Sequence, residues 1–397
     1  MQTSADTYDP STLSAPEILA KAREAAGRLD AGAYVAMRTI ESSRGEQRVT
    51  TFIDGNNWRR NNENGGGISS AMGSYEGRSW IANANGIVRI TSGFRQDDPN
   101  ELAFRDPGQP ENHVTVLGLT PTQPQEYVID INPPDGADEH LYYNAKTFLL
   151  DKSVQFSRGG YQYVAEYSDY QRFYGRMQAR RIHRSDGRPT NDTIETLVSF
   201  TPTQSVPDLR IPDSKPLFTL DGTTPVVIPA QFTGVGVVIQ AKLGERGYDF
   251  ILDSGASGLY LDRGVAHELG LTENSNSVRV PNMSIGPLQM HDVAFGLATF
   301  DYQGRDSRVV GLIGFDFLAS AITELDFKAK TLTLYPRSAF AASMAGLRAL
   351  PIQLDDGVPR TKVSVEDVPG SFLVDTGAFM TLAELHAFSR QVENAKP

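Results

Sequence analysis

Hydrophobic and polar positions follow two different rhythms along this chain. "SAPEILAKAREAAG" has the helical one. Ser14 can cap the helix, Glu17 comes three residues later as in a capping box, Pro16 falls in the first turn and Gly27 supplies a stop. From about Ala33 the period becomes two. "AYVAMRTIESS" and "EQRVTTFIDGNNWRR" predict adjacent strands joined through Arg44-Gly45, and "SYEGRSWIANANGIVRITSG" predicts a further pair turning at Asn85-Gly86. Residues 96–125 hold Pro and Asp clusters and predict one short helix near Glu101. Strand patterns return in "EYVIDINPP", "EHLYYNAKTFLLDKSVQFS", "YQYVAEYSDYQRFYGRMQARRIHRS" and "DTIETLVSFTP". Short polar turns between consecutive strands predict an antiparallel meander.

Residues 1–13 read as a loose tail and 14–205 as one antiparallel β domain. Within it, "LYYNAKTFLLDKSVQFSRGGYQYVAEYSDYQRFYGRMQARRIHRSDGR" with the exit "VPDLRIP" resembles the strands of the bacterial lipoprotein-carrier fold. The resemblance implies an open half-barrel wrapped over a helix. Tyr161, Tyr163, Tyr167, Tyr170 and Tyr174 read as sheet-face packing residues before ligand contacts. Residues 201–229 hold six prolines, each with a fixed φ and no ladder donor, so a linker is expected at 206–225.

Beyond it, an apolar run ends in a carboxylate twice. "VVIQAKLGERGYDFILDSGAS" has two strands turning at "LGERG", the second ending on Asp253. "LPIQLDDGVPRTKVSVEDVPGSFLVDTGAF" has two strand-like runs, a turn containing Pro369-Gly370, and Asp375 at its end. Phe250-Ile251-Leu252-Asp253 matches Phe372-Leu373-Val374-Asp375 position by position. A hydroxyl residue, Gly and Ala come next in both: Ser254, Gly255, Ala256 and Thr376, Gly377, Ala378. One Asp-Ser/Thr-Gly is an ordinary turn; two with the same apolar approach form an internal repeat.

These motifs resemble the bacterial retropepsin-like aspartic proteases, as do "VAHELGL", "VVGLIGFDFL" and "ITELDFKAKTLTLYP". The resemblance implies a β-barrel lobe over 226–340 and the start of a second over 348–397. "VVGLIGFDFL" would cross beneath the first catalytic loop, and "ITELDFKAKTLTLYP" would form a closing hairpin. The expected fold class is therefore mainly β: an N-terminal antiparallel open half-barrel with a helix, then a retropepsin-like barrel lobe and the incomplete start of another.

The implied activity is an aspartic endopeptidase. Two close carboxylates cannot both ionise comfortably, so they share a proton. One acts as base on a trapped water and the other as acid toward the scissile carbonyl. Asp253 and Asp375 are the expected catalytic pair. The glycines would let the loops approach, and Ser254 and Thr376 would each donate a hydrogen bond to the opposing loop. Two departures stand out. "TENSNSVRVPNMSIG", where the family has its closing flap, looks short and lacks an aromatic residue. No second crossing strand comes after Asp375, so the second loop is expected to lack packing and this chain to show little peptidase activity. The alternative route to a complete site is a homodimer through the protease lobe, pairing two copies of Asp253.

Composition narrows the remaining classes. Net charge is −11 with no long basic run, which argues against nucleic acid. No stretch is apolar enough to span a bilayer, so no integral membrane segment is expected. The absence of cysteine excludes disulfides and thiolate chemistry. The six histidines show no metal-ligand spacing on a helix, and the protease resemblance implies neither a metal nor an organic cofactor. "GVGVV" lies within a strand and is no dinucleotide fingerprint, and Asp316 and Asp326 have structural contexts. The polar start resembles the new N-terminus left when a signal peptide is removed, which predicts a periplasmic or secreted protein acting on peptides or proteins. Two other readings stay open: a non-catalytic peptide- or lipid-binding envelope protein built on a protease-derived fold, and a structural envelope component.

Overall fold

The structure, a computed structural model, describes residues 8–30, 32–43, 45–64, 69–90, 107–132, 138–156, 162–234, 236–273, 276–300, 309–338, 349–355, 357–365 and 368–378. The chain divides into two compact units. The first comprises Met1–Gly65, Ala71–Trp80 and Ser92–Ile211, and the second Gly66–Ser70, Ile81–Thr91 and Pro212–Pro397. The second unit therefore takes in two short segments from the N-terminal half. The segment around Glu101, expected to be helical, lies outside the described residues.

The first unit opens with helix α1 (Ala15–Ala26). The Glu17 carboxylate accepts from the Ser14 backbone N–H at 2.8 Å and from its hydroxyl at 2.6 Å. Gly27, at φ 68°, stops the helix where an L-residue would be strained. Strands come in two runs. The first is β1 (Ala33–Ser42), β2 (Gly45–Asp54), β3 (Asn57–Asn64), β4 (Ser69–Tyr75) and β5 (Arg78–Ala82); β6 (Val88–Ile90) belongs to the second unit. The second run is β7 (Val114–Leu119), β8 (Glu126–Ile131), β9 (Asp138–Asn144), β10 (Leu150–Phe156), β11 (Gln162–Phe173), β12 (Arg176–Ser185) and β13 (Thr193–Thr203).

The strands of the first unit form one sheet, in the order β5-β4-β3-β2-β1-β13-β12-β11-β10-β9-β8-β7. It is the antiparallel meander that the period-two pattern predicts, with β13 returning beside β1. Helix α1 buries Ala15, Ile18, Leu19 and Ala22 against Ile129, Ile131, Leu141 and Tyr143 of β8 and β9. "SYEGRSWIANANGIVRI" contains one strand more than expected: β4 and β5 turn at Glu76-Gly77, both at positive φ, and the Asn85-Gly86 turn comes after β5.

In the second unit, β14 (Val226–Pro229) pairs with β23 (Thr331–Tyr335), which pairs with β22 (Ile322–Asp326). The lobe proper contains β15 (Gln231–Thr233), β16 (Gly236–Leu243), β17 (Arg246–Asp253), β18 (Leu259–Asp262), α2 (Arg263–Glu268), β19 (Ser277–Ile285), β20 (Leu288–Ala298), β21 (Val309–Gly314) and α3 (Phe315–Leu318). Its order is β15-β16-β17-β21-β18-β20-β19, and β16 also pairs with β19, which closes a six-stranded barrel. Phe250, Leu252, Leu261, Val278, Ile285 and Ile313 fill the barrel with no exposed surface. Residues 204–225 carry no regular element. Phe218 is nevertheless buried in the lobe core, 5.0 Å from the Phe317 ring.

One sequence expectation is corrected here, and the poor match to a flap is explained. The described part of the interval at 272–286 is a wall rather than a lid. Most of it is β19, which pairs along β20 and closes the barrel against β16 with Val278, Val280, Met283 and Ile285 buried. The second repeat holds β24 (Gln353–Asp355), β25 (Val358–Val365) and β26 (Val368–Leu373). Pro369 and Gly370, expected in a turn, lie within β26 and are paired with Ser364 and Val363.

Candidate active site

The Asp253 loop forms because β17 and β18 are not neighbours: β21 lies between them, parallel to β17 and antiparallel to β18. The chain leaving Asp253 must pass over the end of β21. Gly314 pairs with Asp253 there, and a Cβ on it would collide with the Gly258 and Ala256 carbonyl oxygens. The N–H groups of Phe315 and Asp316 donate to the Ala256 and Ser257 carbonyls at 2.7 and 3.1 Å, fastening the loop from below. The Asp375 loop follows β26, which ends at Leu373 and pairs with β25.

The two loops meet through a reciprocal set of hydrogen bonds. The Ser254 hydroxyl donates to the Val374 carbonyl at 2.5 Å and accepts from the Thr376 N–H at 3.0 Å. The Thr376 hydroxyl donates to the Leu252 carbonyl at 2.7 Å and accepts from the Ser254 N–H at 3.0 Å. Each carboxylate is held identically by its own loop. Asp253 Oδ1 accepts from Gly255 N–H at 2.8 Å and Ala256 N–H at 3.1 Å, and Asp375 Oδ1 accepts from Gly377 and Ala378 at the same distances. Each glycine makes room for the opposite acid. A Cβ on Gly255 would lie 2.5 Å from Asp375 Cγ, and one on Gly377 2.5 Å from Asp253 Cγ. All eight residues singled out in the sequence thus fall in one place.

The second loop does not lack support, contrary to expectation. The first loop supplies it, through bonds from residues about 122 positions away, together with a bond from Val374 N–H to the Pro359 carbonyl at 2.8 Å. Burial, then the adjacent Asp375 charge and a hydrogen bond to it, push the Asp253 carboxyl up to about 6, against the pull of its two backbone donors. The pair can therefore hold one proton between two acids up to about pH 6.

Behind the loop lies an arrangement that the sequence did not reveal. Asp316 is fully buried on α3 and accepts from Asn83 Nδ2 and Arg89 Nη2. Burial drives its pKa up to about 6 in spite of the Arg89 charge. Its place directly after β21 was legible; its partners, more than two hundred residues earlier, carry no local signature.

In the first unit, His140 Nε2 stands 3.5 Å from Asp130 Oδ1 and 3.9 Å from Asp138 Oδ1. These ligand atoms all lie within 4.8 Å of one another and could hold a cation. Ion pairing of the histidine with its two acids accounts for the cluster equally well. The spacing Asp138-x-His140 along β9 is the signal that placed both on one side of the strand. A cleft of about 420 Å³ is lined by Tyr163, Tyr167, Arg184 and Asn191 among others. Tyr170 instead donates to the Leu150 carbonyl at 2.7 Å, and Tyr174 packs on Tyr34, while Tyr161 lies outside the described residues.

No family model matches the chain, and no curated protein matches it. Solved structures do. A LolA superfamily protein from Nitrosomonas europaea is similar at 16% identity over 51% of this chain and 99% of its own, with a TM-score of 0.37. A retropepsin-like aspartic protease from Rickettsia conorii is similar at 18% identity over 29% of this chain and 93% of its own, with a TM-score of 0.23. The MucA/MucB complex of Pseudomonas aeruginosa is similar at 12% identity over 70% of this chain and 92% of that one, with a TM-score of 0.24.

Proposed function

We propose that this chain is an aspartic-type peptidase that hydrolyses peptide bonds with a water activated between Asp253 and Asp375. The observation that carries the reading is the reciprocal bonding of the two loops, which gives each carboxylate the same donors and each hydroxyl the same paired role. An isolated turn needs none of this. At rest the two carboxyls share one proton, whose affinity is set by burial and by the closeness of the two acids and belongs to the pair. The ionised member of the pair takes a proton from water as the water oxygen attacks the scissile carbonyl, while the protonated member gives its proton to the carbonyl oxygen. Collapse of the resulting gem-diol transfers a proton to the leaving nitrogen. Peptide or protein substrates and an exported location belong to the same reading.

A second reading has the chain bind peptides or lipids without cleaving them, and the tyrosine-lined cleft of the first unit favours it. Incubating the purified chain with a mixed peptide substrate at pH 4 to 7 separates the two. The hydrolase reading expects cleavage that Asp253→Asn and Asp375→Asn each abolish. Cleavage undiminished in either variant, or none by the wild-type chain at any pH, would sink it and leave the binding reading.

A further inference from the structure

The buried Asp316 could be balanced by any cation, yet its partner is placed for something more. Arg89 Nη2 donates both to Asp316 Oδ1 and, at 3.1 Å, to the Ser257 carbonyl. That carbonyl already accepts the Asp316 N–H, so the far end of the Asp253 loop hangs on one oxygen held by two donors. On its other side the guanidinium lies against Gly357, in the turn between β24 and β25. There φ is +81° and a Cβ would strike it. The hairpin that begins at that turn, β25–β26, leads directly to Asp375.

Arg89 is itself held. Asn83 Oδ1 accepts from the Asn85 and Ile87 N–H groups at 3.0 and 3.1 Å, shaping a turn. Asn85 exchanges two hydrogen bonds with the Ala294 backbone of β20, at 3.0 and 2.7 Å. Arg279 Nη2 donates to the Ala84 carbonyl at 2.9 Å, and the Lys215 N–H to the Gly86 carbonyl at 3.0 Å. The segment is thus pinned to the barrel at several points, independently of Arg89.

We propose that Arg89 is a positioning residue for the dyad, its guanidinium fixing the Asp253 loop through Ser257 and bracing the hairpin that carries Asp375; this rests on the hydrolase reading of that site. A buried ion pair alone is weak evidence for any purpose. The third contact is one that a simple counter-ion would not need, and a planar fork can make it where a lysine ammonium cannot.

The test compares the full chain, Arg89→Lys, and Arg89→Met combined with Asp316→Asn, which leaves no unpaired buried charge. Amide hydrogen exchange over residues 254–258 and 376–378 is read beside peptide-cleavage kinetics. In both variants loop exchange should quicken by about tenfold or more while β19 and β20 stay protected. The kcat should fall on the order of a hundredfold with KM little changed. Wild-type exchange in both variants would overturn the proposal and reduce Arg89 to a counter-ion. The exchange readout needs no activity, so a wild-type chain that cleaves nothing would end the hydrolase reading and still leave Arg89 decided.

Discussion

At the scale of single residues, the site depends on two hydroxyls that each make one bond as donor and one as acceptor. Replacing Thr376 with Val removes its bond to the Leu252 carbonyl and leaves the Ser254 N–H without its acceptor. Buried polar groups stranded in this way cost about 1–3 kcal/mol. Thr376→Val should therefore lower the thermal midpoint modestly and cleavage far more, as paired melting and rate measurements would show. Asp253 also makes stability depend on pH. Its folded pKa, raised to about 6, exceeds the unfolded value, so the folded chain binds the extra proton between roughly pH 4 and 6. That contribution is fully present below the unfolded pKa and is lost as pH rises through 6. Asp253→Asn should then be more stable than wild type at pH 7, by about 1–2 kcal/mol after discounting for the group's partial exposure, and equal to it below pH 4. Denaturant titrations at pH 3.5 and 7 would check this; a gap that widens toward acid would refute it. The two acids were legible because their motif occurs twice. Arg89 and Asn83 were not, since nothing in "NANGIVRI" reveals that a buried carboxylate far along the chain needs them.

At the scale of elements, periodicity located most strands and missed the purpose of some of them. The stretch at 272–286 looks like a poor flap because only pairing partners decide whether a hairpin covers a cleft or closes a barrel. Pro281 falls in β19 between the Val280–Val293 and Asn282–His291 pairs, where the missing donor is tolerated. The repeat also hides a difference. Leu252 is fully buried between β16 and β21, whereas its counterpart Val374 is 40% exposed, and β26 pairs with β25 alone among the described strands. The helix is easier to judge. Ile18 is fully buried against β8 and β9, so Ile18→Ala should cost about 2–5 kcal/mol, measurable by urea unfolding. A loss below about 0.5 kcal/mol, the range of ordinary surface substitutions, would show that the helix contributes little to the first unit.

At the scale of the whole molecule, the chain combines a large antiparallel sheet with a closed barrel lobe, and the mainly β class was readable from strand rhythm and turns. The membership of Ile81–Thr91 in the second unit was not, because a change of unit leaves no mark on the local pattern. The central claim is that Asp253 and Asp375 behave as one acid–base pair. Titrating the chain with ¹³C-labelled aspartate carboxyls, using Asp253→Asn and Asp375→Asn for assignment, tests it without requiring a substrate. The account predicts that Asp253 titrates near pH 6 and that Asp375→Asn lowers this value. An Asp253 that titrates near pH 4, indifferent to Asp375→Asn, would contradict it.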